Sequence, residues 1–300
     1  MALETFTLDP VVKRLRWVVA GNILFNVAIT LACQPGTFWS HPETAIRGDG
    51  LSIANPTNFT FQFFLGHGWQ PYLAASLAWI LLVFALVSLL PRLAALTAAF
   101  SFLFGYAFSN TNWIVVEWHQ GYLGVTIYGA ILGAAIVSAA LLTPHAAHAA
   151  RLRLRWIAVL TMSADFVITL AGQPHRYWLH PHTVHEANAV SRFFLERGWA
   201  AFVGYDVFYI AAIFWLATVL PEIGGAIWAF GWVFAGFVGI SCWCFYEWRM
   251  GMQTPVLFGC ILSALIVLAV FTRAPSPVRK GSDHPEPENL RTLWGCCKAS

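Results

Sequence analysis

The sequence predicts an all-α polytopic membrane protein: eight transmembrane helices built as a tandem parallel repeat of four plus four, with short interfacial helices in the two long outer loops. Three observations predict it. Of 300 residues, 58% are hydrophobic and only 10% charged, with 24 Phe and 15 Trp, where an ordinary soluble domain is about 25% charged. Apolar stretches of the roughly 20 residues that cross a hydrocarbon core recur eight times. Polar motifs recur at fixed offsets of 139 and then 130 residues. This composition excludes a water-soluble globule. A net charge of +3 spread between apolar spans leaves no basic face for nucleic acid.

Taken in order, residues 1–16 form a polar cytoplasmic N-terminal segment. No small-residue cleavage site follows it, so the first span, Trp17–Cys33, reads as a retained signal anchor. Pro71–Leu90, Leu93–Val116 and Tyr122–Leu142 complete a first four-helix unit, 17–143. A basic cytoplasmic linker, 144–155, leads to the second unit, 156–272, with spans at Trp156–Ala171, Ala200–Leu220, Ile223–Tyr246 and Pro255–Phe271. The Pro-rich, charged segment 273–300 reads as a flexible cytoplasmic tail. Period-two alternation, the mark of an outer-membrane barrel, is missing. With eight spans, 12 of the 17 Lys and Arg fall on the side of the termini and five on the other. Both termini are therefore expected in the cytoplasm of a bacterial-type inner membrane.

The repeat is carried by particular residues. Leu15-Arg16-Trp17 returns as Leu154-Arg155-Trp156, Gln34-Pro35 as Gln173-Pro174, and Trp39-x-His41-Pro42 as Trp178-x-His180-Pro181. After the first long loop, Gly68-Trp69 matches Gly198-Trp199, Leu90-Pro91 matches Leu220-Pro221, and Glu117-Trp118 matches Glu247-Trp248. Four spans per unit is an even number, so the copies insert the same way, related by an approximate two-fold axis along the membrane normal. Each long loop exceeds the usual connection length. Asn55-Pro56 in the first and Asn188 in the second have the form of helix N-caps opening short interfacial helices.

Three groups of residues carry candidate chemistry. Glu117 and Glu247, each followed by a tryptophan, end the third span of each unit. Either they anchor the span at the interface, as Trp118 and Trp248 do, or the axis brings the carboxylates together to share a proton or hold a cation. Asp165, with Asn26 at the equivalent position, lies within a span, where an acid needs a partner or a proton, and Asp206, two turns into the sixth span, is the other such group; interhelical hydrogen bonding of Asn26 and Asp165 for packing is the alternative. Gln34 and Gln173 would hydrogen-bond a ligand, and Trp39, Trp118, Trp178 and Trp248 would wall it. In the second long loop His180, His182, His185 and Glu186 offer imidazole and carboxylate ligands for a transition metal, although the spacing matches no established metal motif.

The leading expectation is a membrane protein that binds or transports a small-molecule ligand between two pseudo-symmetric halves near the outer face. Two alternatives stand beside it: a non-catalytic subunit of a larger, pigment- or redox-containing membrane complex, and a membrane-embedded metalloenzyme using the histidine cluster. No phosphate loop, nucleophile elbow or His-Glu-x-x-His motif is found in the chain, which argues against ATP-driven transport by this chain alone. The partners expected are the lipid bilayer and further membrane subunits.

Overall fold

α1 (Pro10–Ala32) starts before its apolar stretch does. Asp9 accepts the Val11 and Val12 amides and Pro10 presets the first turn, so Lys13, Arg14 and Arg16 join the helix ahead of Trp17. The structure, a computed structural model, describes residues 9–45, 63–141, 144–186, 188–251 and 253–272. The chain continues through α2 (Trp69–Leu89), α3 (Arg92–Asn112), α4 (Gly121–Ala140), α5 (Pro144–Ala171), the short α6 (Ala189–Leu195), α7 (Trp199–Val219), α8 (Glu222–Cys242) and α9 (Gln253–Phe271). Every described element is helical, and eight helices are long and apolar enough to cross a membrane.

The expected linker at 144–155 is instead the beginning of α5, a helix of 28 residues. Its arginines show why. In the first half, Arg14 Nε donates to the Ala139 carbonyl at 2.7 Å, at the end of α4. Arg16 donates to Ser88 Oγ at 2.9 Å, at the end of α2, with its guanidinium 4.3 Å above the Phe84 ring. In the second half, Arg153 donates to the Ala269 carbonyl at the end of α9, while Arg155 reaches Thr218 Oγ1 at 3.0 Å and lies 4.5 Å above Phe214. The last carbonyls of a helix have no partner of their own and carry the negative end of its dipole. Positive charge here serves helix ends, so the segment that holds it is helical.

α1 packs on α2 and α3, and α5 packs on α7 and α8. The fourth helix of each half crosses over: α4 lies between α1 and α8, and α9 between α5 and α3. Along the seam, phenyl rings from the two halves interlock: Phe104 meets Phe237 at 4.9 Å and Phe230 at 6.1 Å, and Phe108 meets Phe245 at 5.8 Å. Outward, Leu81, Leu89, Leu123 and Phe208 are 69–77% exposed, a surface suited to hydrocarbon. The first loop helix was expected to open at Asn55, which lies outside the described residues, as does the tail 273–300. The second forms as expected at its N-cap: the Asn188 side chain accepts from Val190 and Ser191 at the head of α6.

The most extensive helix pair is α5 with α8, and glycines allow it. A Cβ at Gly236 would stand 2.9 Å from the Thr161 carbonyl carbon, whereas one at Gly231 would meet nothing within 4 Å. Small residues let backbones approach within a bilayer, where van der Waals packing rather than water drives association. Gly236→Ala is therefore expected to lower stability by about 1–3 kcal/mol, read as thermal unfolding in detergent. Gly231→Ala serves as its control and is expected to change stability by less than about 1 kcal/mol.

Candidate functional site

Both Glu-Trp motifs sit on the same backbone device. α3 runs on into a π-helical turn, Trp113–Glu117, and α8 into another, Trp243–Glu247. The Trp118 amide closes back on the Trp113 carbonyl at 2.8 Å and Trp248 on Trp243 at 3.0 Å. The chain then reverses through a residue in the left-handed region, His119 (φ 53°) or Arg249 (φ 51°). π turns inside helices mark functional positions frequently, and non-glycine residues at such φ are uncommon.

The two glutamates find different neighbours. Glu247 Oε2 is 3.3 Å from His185 Nδ1, and the His185 ring stands edge-on to Trp243. Glu117 is within electrostatic reach of Cys33 and Tyr246. The Tyr246 hydroxyl donates across the seam to Asn112 Oδ1. No ion pair or hydrogen bond joins Glu117 to Glu247 among the described residues. Polar groups of the two halves thus meet at the loop end of the seam, above the phenyl rings. Cys33, Cys242 and Cys244 are free thiols.

The glutamines act on the protein itself. Gln34 and Gln173 each donate to a carbonyl one turn back, Thr30 at 2.9 Å and Thr169 at 3.0 Å. Gln173 also clasps the loop, donating to the His185 carbonyl at 3.0 Å and accepting its amide at 2.9 Å. That clasp sets His185 opposite Glu247. Trp39, Trp118, Trp178 and Trp248 all lie at the surface, 42–52% exposed.

The residues expected to hold a transition metal do not converge. His180 and His182 are exposed, with ring centres 5.7 Å apart. His185 turns to Glu247, and Glu186 Oε1 accepts the Asn188 amide at 2.7 Å. Among the described residues no three His, Cys, Asp or Glu side chains are placed to hold a metal ion.

Asn26 and Asp165 differ most. Asn26 donates to Ser109 Oγ at 3.0 Å and to Asn110 Oδ1 at 2.7 Å. Asn110 in turn donates to Asn22 Oδ1 at 3.0 Å and to Tyr128 at 2.9 Å, and the Tyr128 hydroxyl donates to Asn22 Oδ1 at 2.6 Å. α1, α3 and α4 are thus joined by a closed polar network. At the equivalent positions around Asp165, Ser109 is replaced by Gly239, Asn110 by Ile240, Tyr128 by Phe258 and Asn22 by Thr161, whose hydroxyl turns back to its own helix. The Asp165 carboxyl packs against Gly239 and accepts no hydrogen bond from any described residue.

A second acid, two turns into α7 from Trp199, completes the group. Asp206 is 6% exposed and its Oδ1 is buried without a hydrogen-bond partner among the described residues. Asp165 lies within electrostatic reach of Glu186 and of Asp206, and Tyr205 and Tyr209, stacked at 5.3 Å, stand beside the two aspartates. Ser76, Ala75 and Trp79 hold the corresponding places in the first half. The Tyr205-Asp206…Tyr209 spacing, one helical turn, was the available signal for the two tyrosines, and it is weak beside ordinary aromatic packing. Compared with known protein families, curated proteins and solved structures, the chain matches none.

An ionised carboxylate in hydrocarbon costs about 2.5–3.5 kcal/mol even on insertion scales, and here nothing in the packing offsets it. Truncation should therefore act oppositely at the paired positions. Asn26→Ala is expected to cost about 1 kcal/mol, two intramembrane hydrogen bonds at about 0.6 each. Asp165→Ala is expected to leave thermal stability unchanged or raised.

Proposed function

We propose that this chain is an integral, multi-pass membrane protein of two parallel four-helix halves that binds, and carries inward from the loop side, a small cationic ligand or a proton. One observation carries the reading: Asp165 stands where its counterpart Asn26 donates two hydrogen bonds through its amide nitrogen, and the residues matching those two partners, Gly239 and Ile240, offer no side-chain hydrogen bond. An acid kept without partners in an apolar site is neutral only with a proton or a cation bound. Asp165 and Asp206 form the inner site. Glu186 and the Glu247–His185 pair lie on the approach from the loop end, and Glu117 marks the seam beside it. The seam itself is filled by rings at mid-depth, so the route follows the second half.

The duplication is supported by the matched duties of Arg14 with Arg153 and Arg16 with Arg155, by the twin π turns, and by the reciprocal crossing of α4 and α9. A bacterial-type inner membrane with both termini cytoplasmic is supported by the gathering of Arg14, Arg92, Arg153 and Arg155 at one end of the bundle, where Arg92 pairs with Asp9 at 2.8 Å. α6 with its Phe193 and Phe194 suits a helix lying in the opposite interface. A second reading, a subunit of a larger membrane assembly, is favoured by the α7 face alone. There Phe208 and Trp215, 73% and 61% exposed, replace Ala78 and Ala85 of the first half. Co-purification of another chain from native membranes, lost on Phe208→Ala, would favour it.

The test is ligand-induced thermal stabilisation of the purified protein, with sodium, potassium, ammonium and tetramethylammonium as probes across a pH series. Near-saturating probe or proton is expected to raise the midpoint by about 5 °C in wild type and to have no effect in Asp165→Asn, which copies the first half. An equal response in the variant, or none to any probe or pH in wild type, overturns the proposal.

A further inference from the structure

The first half contains a cleft of about 560 Å³ between α1 and α4, apart from the acids of the second half. Along α4 its lining runs from Gln120 to Ala135, about 22 Å of helix at 1.5 Å per residue, so the space is long and narrow. Its rim includes Ile127 and Ile131, 52% and 65% exposed, which places the opening sideways, toward the bilayer. Asn22 and Tyr128 line the floor, but their hydroxyl and amide groups bond within the network already described.

The space depends on small residues. Gly21, Gly124 and Ala135 line it, and their counterparts are Leu160, Thr254 and Leu265. At Gly21 a Cβ would meet nothing within 4 Å, so no packing demand inside the fold calls for glycine there, whereas a Cβ at Gly124 would strike Gln120 and Ile114, so that glycine also serves packing. α1 and α4 are in contact, and the volume of about 560 Å³ spread over about 22 Å of helix is a mean cross-section of about 25 Å², far less than a helix 10–12 Å across would fill. An apolar recess of this size facing hydrocarbon strips its lining of contacts unless chains fill it, and it offers water few partners. At the loop end Trp118 and Gln120 close the cleft with an indole N–H and an amide, groups suited to the headgroup level.

We propose that this cleft binds a single hydrocarbon chain of a membrane phospholipid, entering sideways past Ile127 and Ile131, with the headgroup end of the lipid at Trp118 and Gln120. The test uses the full chain in phosphatidylcholine nanodiscs doped with a phosphatidylcholine that carries a photoreactive diazirine on one acyl chain, with adducts mapped by peptide mass spectrometry. Adducts on the cleft residues of α1 and α4 are expected to exceed, several-fold, those on Leu81 and Leu82 of α2, which are 69% and 58% exposed. Gly21→Leu, the residue found in the second half, is expected to lower cleft labelling to the α2 level. Ala135→Leu serves as an independent blocking variant. Equal labelling of cleft and α2 in wild type, labelling that survives both variants, or chain-to-chain cross-links from α1 in place of lipid adducts would each overturn the proposal.

Discussion

Hydrocarbon contains no water to satisfy a polar group, so every amide, hydroxyl and charge within the bundle has to be matched by the protein. Most of the structure follows from meeting that demand. Arg14, Arg16, Arg153 and Arg155 close the ends of neighbouring helices, Gln34 and Gln173 close the ends of their own, and Asn22, Asn26, Asn110 and Tyr128 close on one another. Against that background the acids of α5 and α7 are conspicuous. They stand at positions which, in the other half, hold neutral groups.

Packing explains how the difference arises. α5 and α8 approach closely because Gly236 and Gly239 lie between them, and Gly239 is what takes the place of the serine that bonds Asn26. One substitution pattern thus tightens the helix pair and removes the hydrogen-bond donor. The first half made the opposite exchange. It kept the polar network and opened a recess with Gly21, Gly124 and Ala135, where the second half carries larger side chains. The two halves thus differ, one carrying charge and the other space.

Much of this was legible beforehand, for physical reasons. Apolar runs set six of the eight spans to within a few residues, because hydrocarbon selects length and composition directly, while α1 and α5 begin well before theirs. Repeated Leu-Arg-Trp and Glu-Trp motifs survive in the sequence, and the contacts of Arg16, Trp17, Arg155 and Trp156 account for the first of them. The start of α5 was hidden, since Arg151, Arg153 and Arg155 look like loop until the helix ends that they serve are in view. The π turns carry no composition of their own. Gln173 reads as a ligand group until His185 is found in its grip, and of the histidines close in sequence in that loop His185 alone turns to Glu247 while His180 and His182 stay exposed. Asp165 was visible as a costly residue, but its lack of donors depends on Gly239, brought to it by folding.

Infrared difference spectroscopy on the carboxyl stretch tests the central claim most directly, because it reports whether an unpartnered acid carries a proton. Titrated from acid to alkaline pH in lipid, the wild-type protein should show a protonated-carboxyl band that disappears as the proton leaves, and that is missing throughout in Asp165→Asn. A spectrum in which the variant keeps the same band, or in which wild type never shows one and no cation probe alters it, would mean that the acid of α5 is matched after all.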